Sequence, residues 1–192
     1  MERLTRDLLT LARSDRGELQ LSVGQVDLGA LAHDLVRRVS ILAQGRGVAL
    51  RVEVLGKSPV VAGDPDRLQQ LGLIVLDNAL NHTPSGGQVQ LVVQQKGHQG
   101  LLQIDDTGNG IPPEHLPRMF ERFHRVDASR ARSTGGTGLG LAIARSLVQA
   151  HGGRISIANR ASGGTRVEIL IPLAVTEVDR VDQGRPVDLA AR

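Results

Sequence analysis

Residues 133–147, STGGTGLGLAIARSL, set four glycines (Gly135, Gly136, Gly138, Gly140) directly before an apolar segment of helical spacing. Glycine loses more backbone freedom on folding than any other residue, so a cluster marks close backbone approach or unusual dihedrals. Two familiar explanations fail on spacing. No lysine follows the glycines, as a GxxxxGK[ST] phosphate loop requires, and no three of them form GxGxxG after a strand. The preceding DASRARST is polar and basic. What remains is a glycine-rich segment ending as a helix N-terminus, whose free N–H groups and dipole favour an anion. A flexible loop running into a helix start is the plainer reading of this stretch by itself.

At 192 residues the chain holds one good core, so one domain with appendages is expected. A net charge of +3 is too small to point to nucleic acid. The absence of cysteine excludes disulfides and thiolate metal sites, and fits a reducing cytosol. No apolar run approaches ~18 residues, so no membrane span is expected. The aromatic residues are Phe120 and Phe123, three apart in RMFERF, a spacing that fits one helical face.

Along the chain, residues 2–13 space Leu4, Leu8 and Leu11 as an amphipathic helix, and RGELQLSVGQ reads as a connector. Asp27 can cap a second helix with a stripe of Leu28, Leu31, Leu35, Val39 and Leu42, ended by Gly45 and Gly47. VALRVEVL and PVVAG read as strands. Asp64 and Pro65 open a third helix running to about His82, before Thr83-Pro84. QVQLVVQQ and LLQIDD read as strands joined by a turn. Residues 107–137 lack a clear period, apart from a short helix suggested by PPEHLPRMFERF. After the glycine-led helix come the strands RISIAN and TRVEILIPL. From Ala174 onward the sequence is polar and reads as a disordered tail.

Two further stretches carry chemistry. DDTGNGI (105–111) ends a strand with Asp106, where Gly108 and Gly110 allow something flat against the backbone; a tight turn capped by Asp106 is the plainer alternative. In LIVLDNALNHT, Ile74, Asn78 and Asn81 share a helical face distinct from Leu68, Val75, Leu76 and Ala79. The Asn78 amide oxygen suits a hard cation such as Mg2+, and a solvated asparagine is the bland reading.

The order of these stretches resembles the catalytic, ATP-binding domain of sensor histidine kinases, within the gyrase, Hsp90, histidine kinase and MutL ATPase superfamily. An Asn-bearing helix, DxGxGI, FxxF, GGTGLGLAI and GGTxxxxxxP follow one another across about residues 25–173. The resemblance implies a two-layer α/β sandwich of Bergerat type: a mixed, mostly antiparallel sheet with helices on one face and an ATP lid. It implies a domain over 25–173, with residues 1–24 as the end of a dimerisation-domain helix and its linker, and 174–192 as the tail.

Asp106 would accept from the adenine amino group, with Gly108, Gly110, Ile111 and Thr165 around the base. Asn78 would hold Mg2+ bridging the phosphates. Asn81 and His82 would line the pocket. The lid would run from Gly108 to Thr137, anchored by Phe120 and Phe123. Gly136, Thr137, Gly138, Leu139, Gly140 and Leu141 would contact nucleotide, the glycines letting backbone N–H groups reach the phosphates. Arg130 or Arg132 would neutralise the terminal phosphate, or simply form a solvated basic run.

The implied activity is transfer of the ATP γ-phosphoryl to a histidine outside this chain. The implied partners are a dimerisation and phosphotransfer domain and a response-regulator receiver domain, with neither nucleic acid nor membrane contact. The implied location is the cytoplasm, on a parent protein that can be membrane-anchored. Three departures stand against the pattern. Ile74 occupies a position where the family usually has Asn, Asn81 one where it has Lys or Arg, and the phosphoacceptor box is absent. HDLVRR at His33 echoes that box faintly but lacks its Thr-Pro. The rival readings are a degenerate module that binds nucleotide or a partner without catalysis, and a stand-alone ATPase or serine kinase. The latter usually carries Glu where Ile74 stands, and isoleucine cannot take a proton.

Overall fold

The computed structural model describes residues 2–126 and 137–174. Helix α1 (Glu2–Asp15) leads into β1 (Gly24–Asp27), α2 (Leu28–Gly45), β2 (Ala49–Leu55) and β3 (Val60–Gly63). Then come α3 (Pro65–His82), β4 (Gln88–Lys96), β5 (Gln99–Asp106), α4 (Gly140–Ala150), β6 (Arg154–Asn159) and β7 (Thr165–Pro172).

The main sheet has the order β2-β4-β5-β7-β6, with β2 and β4 parallel and every other neighbour antiparallel. β1 and β3 form a separate antiparallel pair. The connector expected before α2 therefore contains a strand. With four residues and only Val26 buried, β1 shows no alternation long enough to register as a strand.

Helices α2, α3 and α4 cover one face of the main sheet, giving the expected α/β sandwich. Strand alternation supplies the sheet's half of the core: Val89, Leu91 and Val93 from β4, Leu102 and Ile104 from β5, and Val167, Ile169 and Ile171 from β7. Leucines answer from the helices, among them Leu35, Leu68, Leu76, Ile143 and Leu147. The core is aliphatic throughout, consistent with a chain that carries only two aromatic residues.

The caps follow the sequence. Asp27 Oδ1 accepts from Ala30 N, and Asp64 Oδ1 from Asp66 N and Arg67 N, with Pro65 in the first turn. On α2 the buried stripe ends on Ala43 rather than the expected Leu42, which is 42% exposed. A period of 3.6 carries the row from Val39 to position 43. On α1, Thr10 and Leu11 are buried while Leu8 and Leu9 remain exposed, so only part of that helix's apolar surface is used.

Candidate functional site

On the helix-covered face of the sheet, Ile104, Val167 and Ile157 form one apolar row across β5, β7 and β6. One step nearer the strand ends the row turns polar. Thr165 pairs with Asn159, and Thr165 N donates to Asp106 Oδ1 at 3.0 Å. The same alternation that builds the core thus aligns three polar residues at one edge of it.

Asp106 is 6% exposed. Its Oδ1 accepts from Thr165 N and, at 2.8 Å, from Gly108 N, while Oδ2 makes no hydrogen bond among the described residues. The carboxylate is held by one oxygen and offers the other. A side chain at position 108 would bring its Cβ to 2.4 Å from the His82 carbonyl oxygen, so only glycine lets the loop lie on the end of α3. Asn81, His82, Thr83, Pro84, Asn109 and Gly110 line the cleft between them.

Asn78 and Asn81 are half-buried on α3, one and two turns beyond the half-buried Ile74. Ile74 Cγ2 lies 3.3 Å from where a Cβ on Gly140 would stand, so this side of α3 meets the start of α4. Leu139 occupies the α4 N-cap and is fully buried. It has no side-chain acceptor, so the first-turn N–H groups carry no capping bond from it.

Phe123 N donates to Gly138 O at 2.9 Å, and a Cβ on Gly138 (φ +70°) would lie 2.9 Å from the Phe123 backbone. These two residues tie together the ends of the intervening segment. Arg130, Arg132 and Gly136 lie outside the described residues.

The short helix expected around Phe120 and Phe123 is reduced to a single 3₁₀ turn, Leu116–Arg118, which contains Pro117 and follows Pro112 and Pro113. Phe123 has φ 61° and is 62% exposed, while Phe120 is half-buried. The two rings do not share a helical face.

Three residues bearing on the site escaped the motif reading. Asp105, pointing to the opposite face from Asp106, is buried. It takes Arg166 Nε at 2.8 Å and Nη2 at 2.7 Å, plus Gln103 Nε2 at 3.1 Å. The hydrogen bond to Asp105 pushes the Arg166 guanidinium above its ordinary value. Arg160 Nη1 donates to the Asp106 carbonyl oxygen at 2.7 Å. Asn159 exchanges two hydrogen bonds with the Ile111 backbone. Strand register, read three strands at once, was the signal available for Asn159.

Among the described residues no group of three or more His, Cys, Asp and Glu side chains could hold a metal, and no helix is long and apolar enough to cross a membrane.

Residues 63–175 match the model of the "Histidine kinase-, DNA gyrase B-, and HSP90-like ATPase" family. The chain belongs to that family. Within it, this is the catalytic, ATP-binding domain of histidine-kinase type. The sensor histidine kinase CusS of Escherichia coli strain K12 is 38% identical over 172 residues, covering 90% of this chain and 35% of CusS. The signal transduction histidine-protein kinase BaeS of the same strain is 38% identical over 173 residues, 90% of this chain and 37% of BaeS. The chain therefore spans about a third of these curated relatives.

Among solved structures, full-length ShkA in complex with AMPPNP superposes with a TM-score of 0.79 at 29% identity, over 91% of this chain and 36% of ShkA. The mycobacterial sensor histidine kinase MprB gives 0.66 at 31% identity, over 80% of this chain and 99% of that one. The α/β sandwich is thus the fold of histidine kinase catalytic domains.

Proposed function

We propose that this domain binds ATP with Mg2+ and serves as the phosphoryl donor to a histidine on a dimerisation domain, from which a response-regulator receiver domain is phosphorylated. The single observation that carries the nucleotide assignment is the Asp106 carboxylate, fixed through Oδ1 by two backbone N–H groups with Oδ2 left to accept. An exocyclic amine donor such as that of adenine matches it. Gly108 and Thr165 hold Oδ1, Gly110 and Ile111 belong to the same loop, and His82 and Asn81 border the cleft.

The uncapped start of α4 fits a polyphosphate, because the N–H groups after Gly138 are donors without a capping side chain. Asn78 supplies the amide oxygen for Mg2+, which commonly takes few protein ligands and completes its shell with phosphate and water oxygens. Arg130 and Arg132 are assigned to the terminal phosphate from the resemblance. Positioning and charge neutralisation by these groups are what phosphoryl transfer requires of a protein.

Residues 25–173 form the ATP-binding domain in this reading and 1–24 the end of the dimerisation helix and linker; 175–192, expected as a tail, lie outside the described residues. A cytoplasmic location follows from the same assignment. One observation favours a second reading, a module that binds nucleotide without transferring phosphoryl. Ile74 packs at Gly140 and offers no amide to a metal.

Mixing the chain with a separately made dimerisation domain bearing an acceptor histidine, in the presence of γ-labelled ATP and Mg2+, tests the choice. Acid-labile label on the added domain, and none on this chain alone, is the expected result. Nucleotide binding without any label transfer would support the second reading.

A further inference from the structure

The loop from Asp106 to Ile111 departs from β5 and returns against the end of β6. Asn159 Oδ1 accepts from Ile111 N at 2.8 Å, and Asn159 Nδ2 donates to Ile111 O at 2.7 Å, across 48 residues of sequence. A primary amide presents an N–H donor side and a carbonyl acceptor on the same planar group, so it can pair with a single residue's N–H and C=O much as a neighbouring strand would. Aspartate cannot supply the donor, and alanine supplies neither.

Two neighbouring features reinforce this pairing. Gly110 has φ +71°, and a Cβ there would lie 3.1 Å from Asn159 Oδ1, so the loop passes tightly beneath the amide. At the loop's other end, Arg160 Nη1 donates to the Asp106 carbonyl oxygen at 2.7 Å, while its Nε stands 3.6 Å from the buried Asp105 carboxylate. Two consecutive residues at the end of β6 therefore hold both ends of the loop that carries Asp106. Ile111 is 9% exposed despite its place in a loop.

We propose that Asn159 is a positioning residue for the nucleotide base: by pairing with the Ile111 backbone it keeps the 106–111 loop in its binding geometry before nucleotide arrives. Binding then avoids the ordering cost of a free loop. This inference rests on Asp106 as the reader of the base. Asn159 does not touch the base; it acts through Ile111. Because the residue sits on an exposed edge, its removal costs the fold little while costing the site directly.

The test uses the full chain with Asn159→Ala and Asn159→Asp, measuring ATP and ADP affinity, amide exchange at Ile111, and melting temperature. The expected result is a loss of roughly three- to tenfold, equal for ATP and ADP because the defect lies at the base end, which corresponds to one or two ordinary hydrogen bonds. Exchange of the Ile111 amide should accelerate by about tenfold or more in Asn159→Ala, which removes its acceptor, and by less in Asn159→Asp, which keeps one, with the melting temperature nearly unchanged. Unchanged affinity, or unchanged Ile111 exchange in Asn159→Ala, overturns the proposal. So does a loss of affinity that merely tracks a lowered melting temperature in both variants.

Asp106→Asn, titrated in parallel with ATP and GTP, separates the two assignments. A changed nucleotide preference in Asp106→Asn beside an inert Asn159→Ala defeats the positioning role alone. An unchanged preference in Asp106→Asn defeats the base-reading assignment and the positioning role with it.

Discussion

His151 Nε2, just past the end of α4, accepts the backbone N–H of Asp64, the N-cap of α3, at 3.0 Å across 87 residues of sequence. The other ring nitrogen, Nδ1, lies 2.7 Å from the Leu147 carbonyl oxygen and donates to it. Two backbone partners thus fix one neutral tautomer in a buried ring. The Asp64 carboxylate also takes Ser22 N at 2.9 Å, so the linker, α3 and α4 are joined around one residue pair.

Replacing His151 by Ala leaves the buried Asp64 N–H without its partner. The expected cost is about 1–3 kcal/mol in urea unfolding with an unchanged m-value, the penalty for an unsatisfied buried donor. A midpoint equal to that of the parent chain would show that the imidazole contributes nothing at this junction.

Asp64 also predicts an acid dependence. Burial raises its carboxyl, but N–H groups of Ser22, Arg67 and Asp66, with the Arg67 charge, outweigh that and hold it below the ordinary 3.8. A depressed native value means that the folded chain binds fewer protons than the unfolded one in acid. The stabilisation is therefore present above about pH 4 and disappears as pH falls through the lower native value. Asp64→Asn keeps a capping side chain and should flatten the acid limb of a stability-against-pH curve. Parallel curves for the two proteins would contradict the assignment.

Arg166→Met strands a buried carboxylate at Asp105, leaving Gln103 and the more distant Arg160 as its partners. Because the Arg166 side chain is 42% exposed, water can partly compensate, and a loss of about 1–3 kcal/mol is expected. Adding Asp105→Leu should recover much of it, since the uncompensated charge is then gone. No recovery in the double variant would mean that the ion pair is not the source of the loss.

Ile74→Asn places an amide one turn before Asn78. If this face of α3 serves the metal, ATP affinity in Mg2+ should rise by about tenfold, ~1.4 kcal/mol, while affinity in EDTA stays level. Equal changes with and without Mg2+ would remove Asn78 and its face from the metal's surroundings.

The sequence made some parts of this fold easy to read and others hard, for physical reasons. Asp27, Asp64 and Pro65 act through local hydrogen bonds and fixed dihedrals, so α2 and α3 start where the residues say. Strands β4, β5 and β7 are long enough for alternation to show. β1 is held by pairing with β3, a partner distant in sequence, and leaves no local trace. Three-residue spacing fits one helical face only on helical backbone, whereas Phe123 sits at positive φ with its N–H on the Gly138 carbonyl. At the site, Asp106 and the glycines stand in compact motifs. Asn159 and Arg160 become visible only when β5, β7 and β6 are laid side by side.

The most direct test of the account is parallel titration of ATP and GTP against the parent chain and Asp106→Asn. A carboxylate only accepts, so it suits the adenine amino group and opposes the guanine carbonyl oxygen at the same ring position. Asparagine can turn its amide to donate, but it gives up the charge-assisted bond. Such a bond is worth ~1.5–3 kcal/mol, so ATP affinity should fall roughly 10- to 100-fold while GTP affinity stays level or rises. An equal loss for both nucleotides, accompanied by lower thermal stability, would make Asp106 a turn cap and contradict its role as the reader of the base.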